Sequence, residues 1–193
     1  MKIDAELETE RLILRHWTLS EQDRAFFHFI HSDAEVRRFY VTRMSRDEAD
    51  EELEKAVASR GQADVDWGVA CLKSTGHPVG VTGLGQVNYQ TPFTPCVEIG
   101  WLYDPQVWGQ GFATEAGKAL IQHGFEDVGL KEIVAFAVHN NHPSLAVMQR
   151  IGMQHIADGD FDHPMVPDSH AHLKRHVLYA LSAQQWQDQA TKS

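Results

Sequence analysis

From Ala113 onward, apolar or small residues recur at Ala116, Gly117, Leu120, Ile121, Gly124, Phe125 and Val128. Glu115, Lys118, Gln122 and Glu126 fill the other side. A period of about 3.6 residues predicts an amphipathic helix. "EQDRAFFHFIHS" predicts another, with Ala25, Phe26, Phe29 and Ile30 on one face. "SRDEADEELEKAVASRG" predicts a third: Ser45 can cap it, acidic residues crowd its first turns, and Gly61 stops it. A short fourth helix is expected over roughly His142 to Ile151, with Pro143 in its first turn and Gly152 just past its end.

The remaining apolar runs are short and rich in β-favouring residues. "RLILRHW" predicts a first strand, and "DWGVACLK", "PVGVTGLGQV" and "CVEIGWLY" read as an antiparallel meander. Glu132–Val138 is mostly apolar, as a central strand would be. "MQHIADGDF" and "HVLYALS" close the set, with the polar loop "DHPMVPDSHAHLKR" between them. The order is strand, two helices, three strands, helix, strand, helix, two strands. It predicts a mixed α/β fold of about seven strands and four helices in a single domain over 1–193. Its core spans about 8–182, and 183–193 reads as a polar tail.

Composition narrows the function classes. The chain has 193 residues with 17 Lys+Arg against 27 Asp+Glu, a formal charge of −10. That balance argues against nucleic-acid or anionic-membrane partners and is compatible with a cationic amine. There is no apolar run of the ~20 residues a membrane span needs. The start "MKIDAELETE" lacks the apolar core of a signal peptide, so a cytoplasmic protein is expected. Cys71 and Cys96 sit in apolar runs and read as small buried hydrophobes.

The stretch "DPQVWGQGFATEA" places Gly109 and Gly111 between a strand and the long helix. Backbone N–H groups and a positive helix end then converge on one spot, a natural phosphate site. The P-loop pattern is absent. The dinucleotide fingerprint fails at Thr114, where glycine or alanine is needed.

The pattern "QVWGQG", followed by Ala113, resembles the pyrophosphate loop of the GCN5-related N-acetyltransferases, Arg/Gln-x-x-Gly-x-Gly/Ala. The likeness runs over about residues 8 to 182. "TERLILRHW", "EIGWLYDP", "NNHPSLAVMQRIGM" and "RHVLYAL" are similar to the branch that includes the ribosomal-protein N-terminal acetyltransferases. The resemblance implies acetyl-coenzyme A, leaving as coenzyme A. Gln106, Val107, Trp108, Gly109, Gln110, Gly111, Phe112, Ala113 and Thr114 would form the pyrophosphate loop. Trp101, Leu102 and Tyr103 would bond the pantetheine arm, in a gap where the fourth and fifth strands splay. Asn141 and Ser144 would complete the cofactor site.

Acyl transfer to an amine needs a base, an oxyanion donor and a proton for the thiolate. Glu98 is the candidate base, sharing a strand face with Gly100 and Leu102. Burial in this apolar strand would raise its pKa. It could equally order the substrate. By the resemblance, Ser144 is the candidate acid, or a hydrogen-bond donor to sulfur, and a backbone N–H near Gly100 to Leu102 is the oxyanion donor. Phe39, Tyr40 and Trp67 are candidates for the acceptor pocket. His163, His170, His172 and His176 lack metal-site spacing and read as a solvated loop or pocket lining, so no metal is expected. The acceptor implied is a small-molecule amine or a peptide N-terminus, and the protein a monomer or homodimer. The alternative is a non-catalytic coenzyme-binding module acting as sensor or scaffold.

Overall fold

The computed structural model describes residues 6–61 and 66–191. One sheet runs through the molecule: β1 (Leu7–Glu8), β2 (Leu12–Arg15), β3 (Trp67–Leu72), β4 (Pro78–Gln86), β5 (Val97–Tyr103), β6 (Glu132–Val138), β7 (Gln154–His155), β8 (Phe161–Asp162) and β9 (Arg175–Ser182). The spatial order is β1-β2-β3-β4-β5-β6-β9-β7, with β8 on β9. Neighbours pair antiparallel except β5 and β6, which are parallel.

The helices are α1 (Glu21–Ser32), α2 (Arg46–Ala58), α3 (Phe112–Glu126), α4 (His142–Arg150) and α5 (Ala183–Ala190). The Ser45 hydroxyl accepts the Glu48 N–H while the Glu48 carboxylate accepts the Ser45 N–H, a reciprocal cap that fixes the start of α2. Helices α3 and α4 cover one sheet face through Phe112, Ala116, Leu120, Ile121 and Met148. Helices α1 and α2 cover the other through Phe26, Phe27, Ile30 and Leu53. Fully buried Asp23 ties α1 to β2: Arg15 grips it with two 2.8 Å bonds, and the Thr18 N–H and hydroxyl each donate at 2.8 Å. Burial opposes the charge, but these donors prevail and hold its carboxyl below the usual range.

Three expectations need correction. The described residues form nine strands, because Leu7–Glu8 adds an edge and "MQHIADGDF" breaks into β7, a 3-10 turn and β8. The polar loop holds a 3-10 segment, Asp168–Leu173. The stretch read as a polar tail instead forms α5. Ser182 and Gln185 cap it reciprocally, and Trp186 packs 5.6 Å from Phe125. One tryptophan among glutamines left no apolar stripe to read.

Candidate active site

The splay between β5 and β6 creates the site. Every other long strand pair shares several register positions, whereas β5 and β6 share one, Glu98 with Val134. Beyond it, the β5 edge from Gly100 to Tyr103 has lost its ladder partner. A cavity of about 900 Å³ opens there, lined by Trp101, Leu102, Tyr103, Asn141 and Ser144. Its far end is the glycine loop. Asp104 accepts the Gln106 N–H at 2.9 Å and starts a 3-10 turn, Pro105–Val107. The Trp108 indole donates to the Tyr103 carbonyl at 2.8 Å, folding the loop over the strand end.

Gly109 and Gly111 have φ of +75° and +84°. Both are left-handed, where a side chain is strained. A Cβ on Gly109 would stand in open space, so the requirement there is dihedral rather than steric. The first backbone bond of α3 runs from the Glu115 N–H to the Gly111 carbonyl. The N–H groups of Phe112, Ala113 and Thr114 therefore have no intrahelical acceptor, and Gly111 brings no side-chain cap. Arg38, Lys118 and Arg150 line the same cavity. Bare donors, a positive helix end and three cations fit a diphosphate with a further phosphate. Val107, Trp108, Gly109, Gly111, Phe112, Ala113 and Thr114 lie in this wall. Gln106 and Gln110 stand apart from it; the Gln110 amide returns to the Gln106 carbonyl at 3.3 Å, closing the loop.

A second cavity, about 990 Å³, lies on the α1–α2 side and is lined by Glu98, Trp67, Tyr89, Phe136, His163 and His176. Phe39, Tyr40, Trp101, Leu102, Asn141 and Ser144 line both cavities, so the two meet there. Glu98 is half-buried and shares its face with Gly100 and Leu102, while Ile99 packs into the opposite core. Burial alone pushes its pKa up to about 8. Asn141 Oδ1 accepts the Ser144 N–H at 3.4 Å and caps α4, which leaves the Ser144 hydroxyl free of the cap.

Trp67 lies across two glycines. A Cβ on Gly85 would come within 2.3 Å of its indole nitrogen, and one on Gly100 within 2.7 Å of its ring. These glycines are the bed for an indole beside Glu98. Tyr40 stacks under the Arg37 guanidinium at 3.7 Å, and burial raises the pKa of its hydroxyl although 44% of the residue is exposed. Arg38 lies over Phe39 and Trp108, linking the acceptor segment to the glycine loop. His163 and His176 enter the second cavity; His170 and His172 do not. Tyr89, Arg38, Lys118 and Arg150 escaped the sequence reading. Tyr89 and Arg38 lie outside the regular elements, Lys118 is on the polar side of α3 and Arg150 ends α4, and no motif assigns any of them a ligand.

The family model for the acetyltransferase (GNAT) domain matches residues 11–154. The uncharacterized N-acetyltransferase YnaD of Bacillus subtilis is 35% identical over 79 residues, 41% of this chain and 42% of that protein. A GNAT-family acetyltransferase from Bacillus anthracis superposes with a TM-score of 0.75 at 23% identity, covering 93% of this chain and 99% of the other. The ribosomal-protein-S5-alanine acetyltransferase of Vibrio fischeri reaches 0.74 at 17% identity, over 95% and 99%. Spermidine N-acetyltransferase of Vibrio cholerae, in complex with CoA and spermine, reaches 0.71 at 17% identity, over 91% and 98%. These superpositions show a shared fold. The family match spans the glycine loop, Glu98 and Ser144, and with it the chain belongs to the GNAT acetyltransferase family.

Proposed function

We propose that this protein is an acetyl-coenzyme A-dependent N-acetyltransferase that passes the acetyl group directly to a primary amine. The observation that carries the reading is the junction of the two cavities: Ser144 and Asn141 stand on both, with Glu98 on the acceptor side. When bound, the coenzyme supplies an acetyl thioester, an activated acyl donor. The loop N–H groups from Gly109 to Thr114 hold its diphosphate, and Arg38, Lys118 and Arg150 neutralise further negative charge.

The amine enters from the other cavity. In its ionised form, which gains ground as pH approaches its pKa of about 8, Glu98 takes the proton of the incoming ammonium. A backbone N–H of the unpaired β5 edge, Gly100 to Leu102, steadies the acyl oxygen. The Ser144 hydroxyl, free of the helix cap, gives a hydrogen bond to the departing sulfur. The residues shared by the two cavities, which let donor and amine meet, support direct transfer.

A Glu98→Gln variant tests this reading. Acetylation of a primary amine by the parent, with turnover reduced about 10²–10⁴-fold in the variant and coenzyme affinity unchanged, supports it. Tight coenzyme binding with no acetylation of any amine or peptide N-terminus points instead to a sensor or scaffold.

A further inference from the structure

Beyond Glu98, the acceptor cavity ends in a wall of rings from three separate segments. Tyr89 comes from the β4–β5 loop, His163 from the segment after β8, and His176 from β9. The Tyr89 and His163 ring centroids are 4.9 Å apart, those of His163 and His176 4.8 Å. Phe136 lies 6.0 Å from His163 and 6.2 Å from His176.

The hydrogen bonds fix where the protons sit. The Met165 backbone N–H donates to His163 Nδ1 at 3.2 Å. A backbone N–H can only donate, so Nδ1 carries no proton and the ring is neutral with its hydrogen on Nε2. His163 Nε2 is 2.8 Å from the Tyr89 hydroxyl. That bond must run from histidine to tyrosine, which leaves the Tyr89 proton to be donated elsewhere. His176 is fixed the other way round. Its Nδ1 faces the Lys174 carbonyl at 3.0 Å, and a carbonyl only accepts. In the neutral ring, Nε2 is then the acceptor. Burial keeps both rings neutral: it drives His163 down to about 4, with His176 adding to the effect, and lowers His176. Tyr89 stays protonated, raised by burial and then by the charge of Glu98, which places the wall within electrostatic reach of that carboxylate.

The wall thus offers one O–H donor and one nitrogen acceptor without net charge. The cavity's other charged residues have partners of their own. Lys55 pairs with Glu52, Arg37 lies over Tyr40, and Asp66 accepts the Trp67 N–H. Asp162, whose charge reaches His176, faces Arg175 at 3.6 Å and is not free for a second ammonium. A group that both accepts and donates satisfies both partners.

We propose that Tyr89, positioned by His163, and His176 form an acceptor subsite that takes an uncharged hydroxyl or carboxamide carried by the amine substrate. The inference rests on the acetyltransferase reading and adds the substrate class to it. The test compares kcat/KM for four amines on the same three-carbon chain: 3-aminopropanol, 3-aminopropanamide, 1,3-diaminopropane and n-propylamine. The alcohol or the amide is expected to exceed the diamine and n-propylamine by about tenfold, the scale of one satisfied hydrogen bond. The alcohol and amide arms separate the two sources of that chemistry. Tyr89→Phe should collapse the preference through KM, whereas Glu98→Gln lowers kcat for all. A diamine that matches or outpaces the alcohol and the amide overturns the subsite while leaving acetyl transfer standing. Failure of the acetyltransferase reading shows separately, as loss of turnover with every amine. Nitrogen-15 NMR of the coenzyme-free protein at pH 7 gives a readout independent of turnover. His163 protonated on Nε2 and His176 on Nδ1 support the wall; the reverse tautomers, or a charged ring, overturn it.

Discussion

Replacing Glu98 with glutamine should stabilise the protein, and by an amount that grows with pH. The folded carboxyl titrates at about 8 against an ordinary 4.5, with burial as the cause. The folded state therefore holds this proton between those values while the unfolded chain has released it. Stability falls as pH rises through that window, the opposite sign to a salt-bridged carboxylate. Integrated to pH 7, the stability lost through this difference in bound protons reaches about 3 kcal/mol, and above pH 8 about 5 kcal/mol. Both are ceilings, since the side chain opens onto a solvated cavity, and about half is the working expectation. Glutamine keeps the shape and removes the charge. At about 2–4 °C per kcal/mol for a chain of this size, the variant should melt about 5 °C above the parent near pH 8. The gap should shrink towards pH 5, where both side chains are neutral. Thermal melts of both proteins from pH 5 to 9 give the comparison. A gap independent of pH would refute the claim that an ionisable, desolvated carboxylate sits at this point.

Other expectations follow from the same geometry. As a base with a pKa of about 8, Glu98 should make kcat/KM rise with pH and level off above that value; a profile flat from pH 6 to 9 would remove it from proton transfer. Ser144→Ala should lower kcat without shifting Tm, because only its backbone N–H serves the cap, whereas Asn141→Ala should cost about 1 kcal/mol as a lost helix cap; equal Tm losses would contradict that division. Asp23→Ala should destabilise by about 3–5 kcal/mol in urea melts, since it strands the Arg15 charge in a mostly buried network; a loss under about 1 kcal/mol would contradict it.

The sequence made the helices legible where their apolar stripe was strong. The bounds of α1 and of β6 agree with the pattern to the residue. Alternation along β5 also placed Glu98 opposite Ile99, because a strand's side-chain period is two. Helix α5 was illegible because only Ala183 and Trp186 pack on the core, while Gln185 and Gln189 dock it by hydrogen bonds to Gln154 and Gly152. The glycines flanking Trp67 showed why single-residue reading fails. Gly85 and Gly100 lie 15 positions apart in sequence (100 − 85), and only the register of β4 on β5 brings them under one indole. Tyr89 and His163 are a similar case: the pair spans 74 residues and exists only through loop packing.

The most direct test of the account is calorimetric titration of acetyl-coenzyme A into the parent and into Gly109→Val and Gly111→Val. Both glycines hold left-handed dihedrals that valine strongly disfavours, so the loop donors should no longer converge. Melts of the same three proteins check that the fold survives. Saturable binding by the parent, reduced at least about a hundredfold in both folded variants, is the predicted result, since several charge-assisted hydrogen bonds are lost together. A parent that fails to bind the coenzyme, or variants that bind as tightly as the parent, would contradict the placement of the acyl donor on this loop.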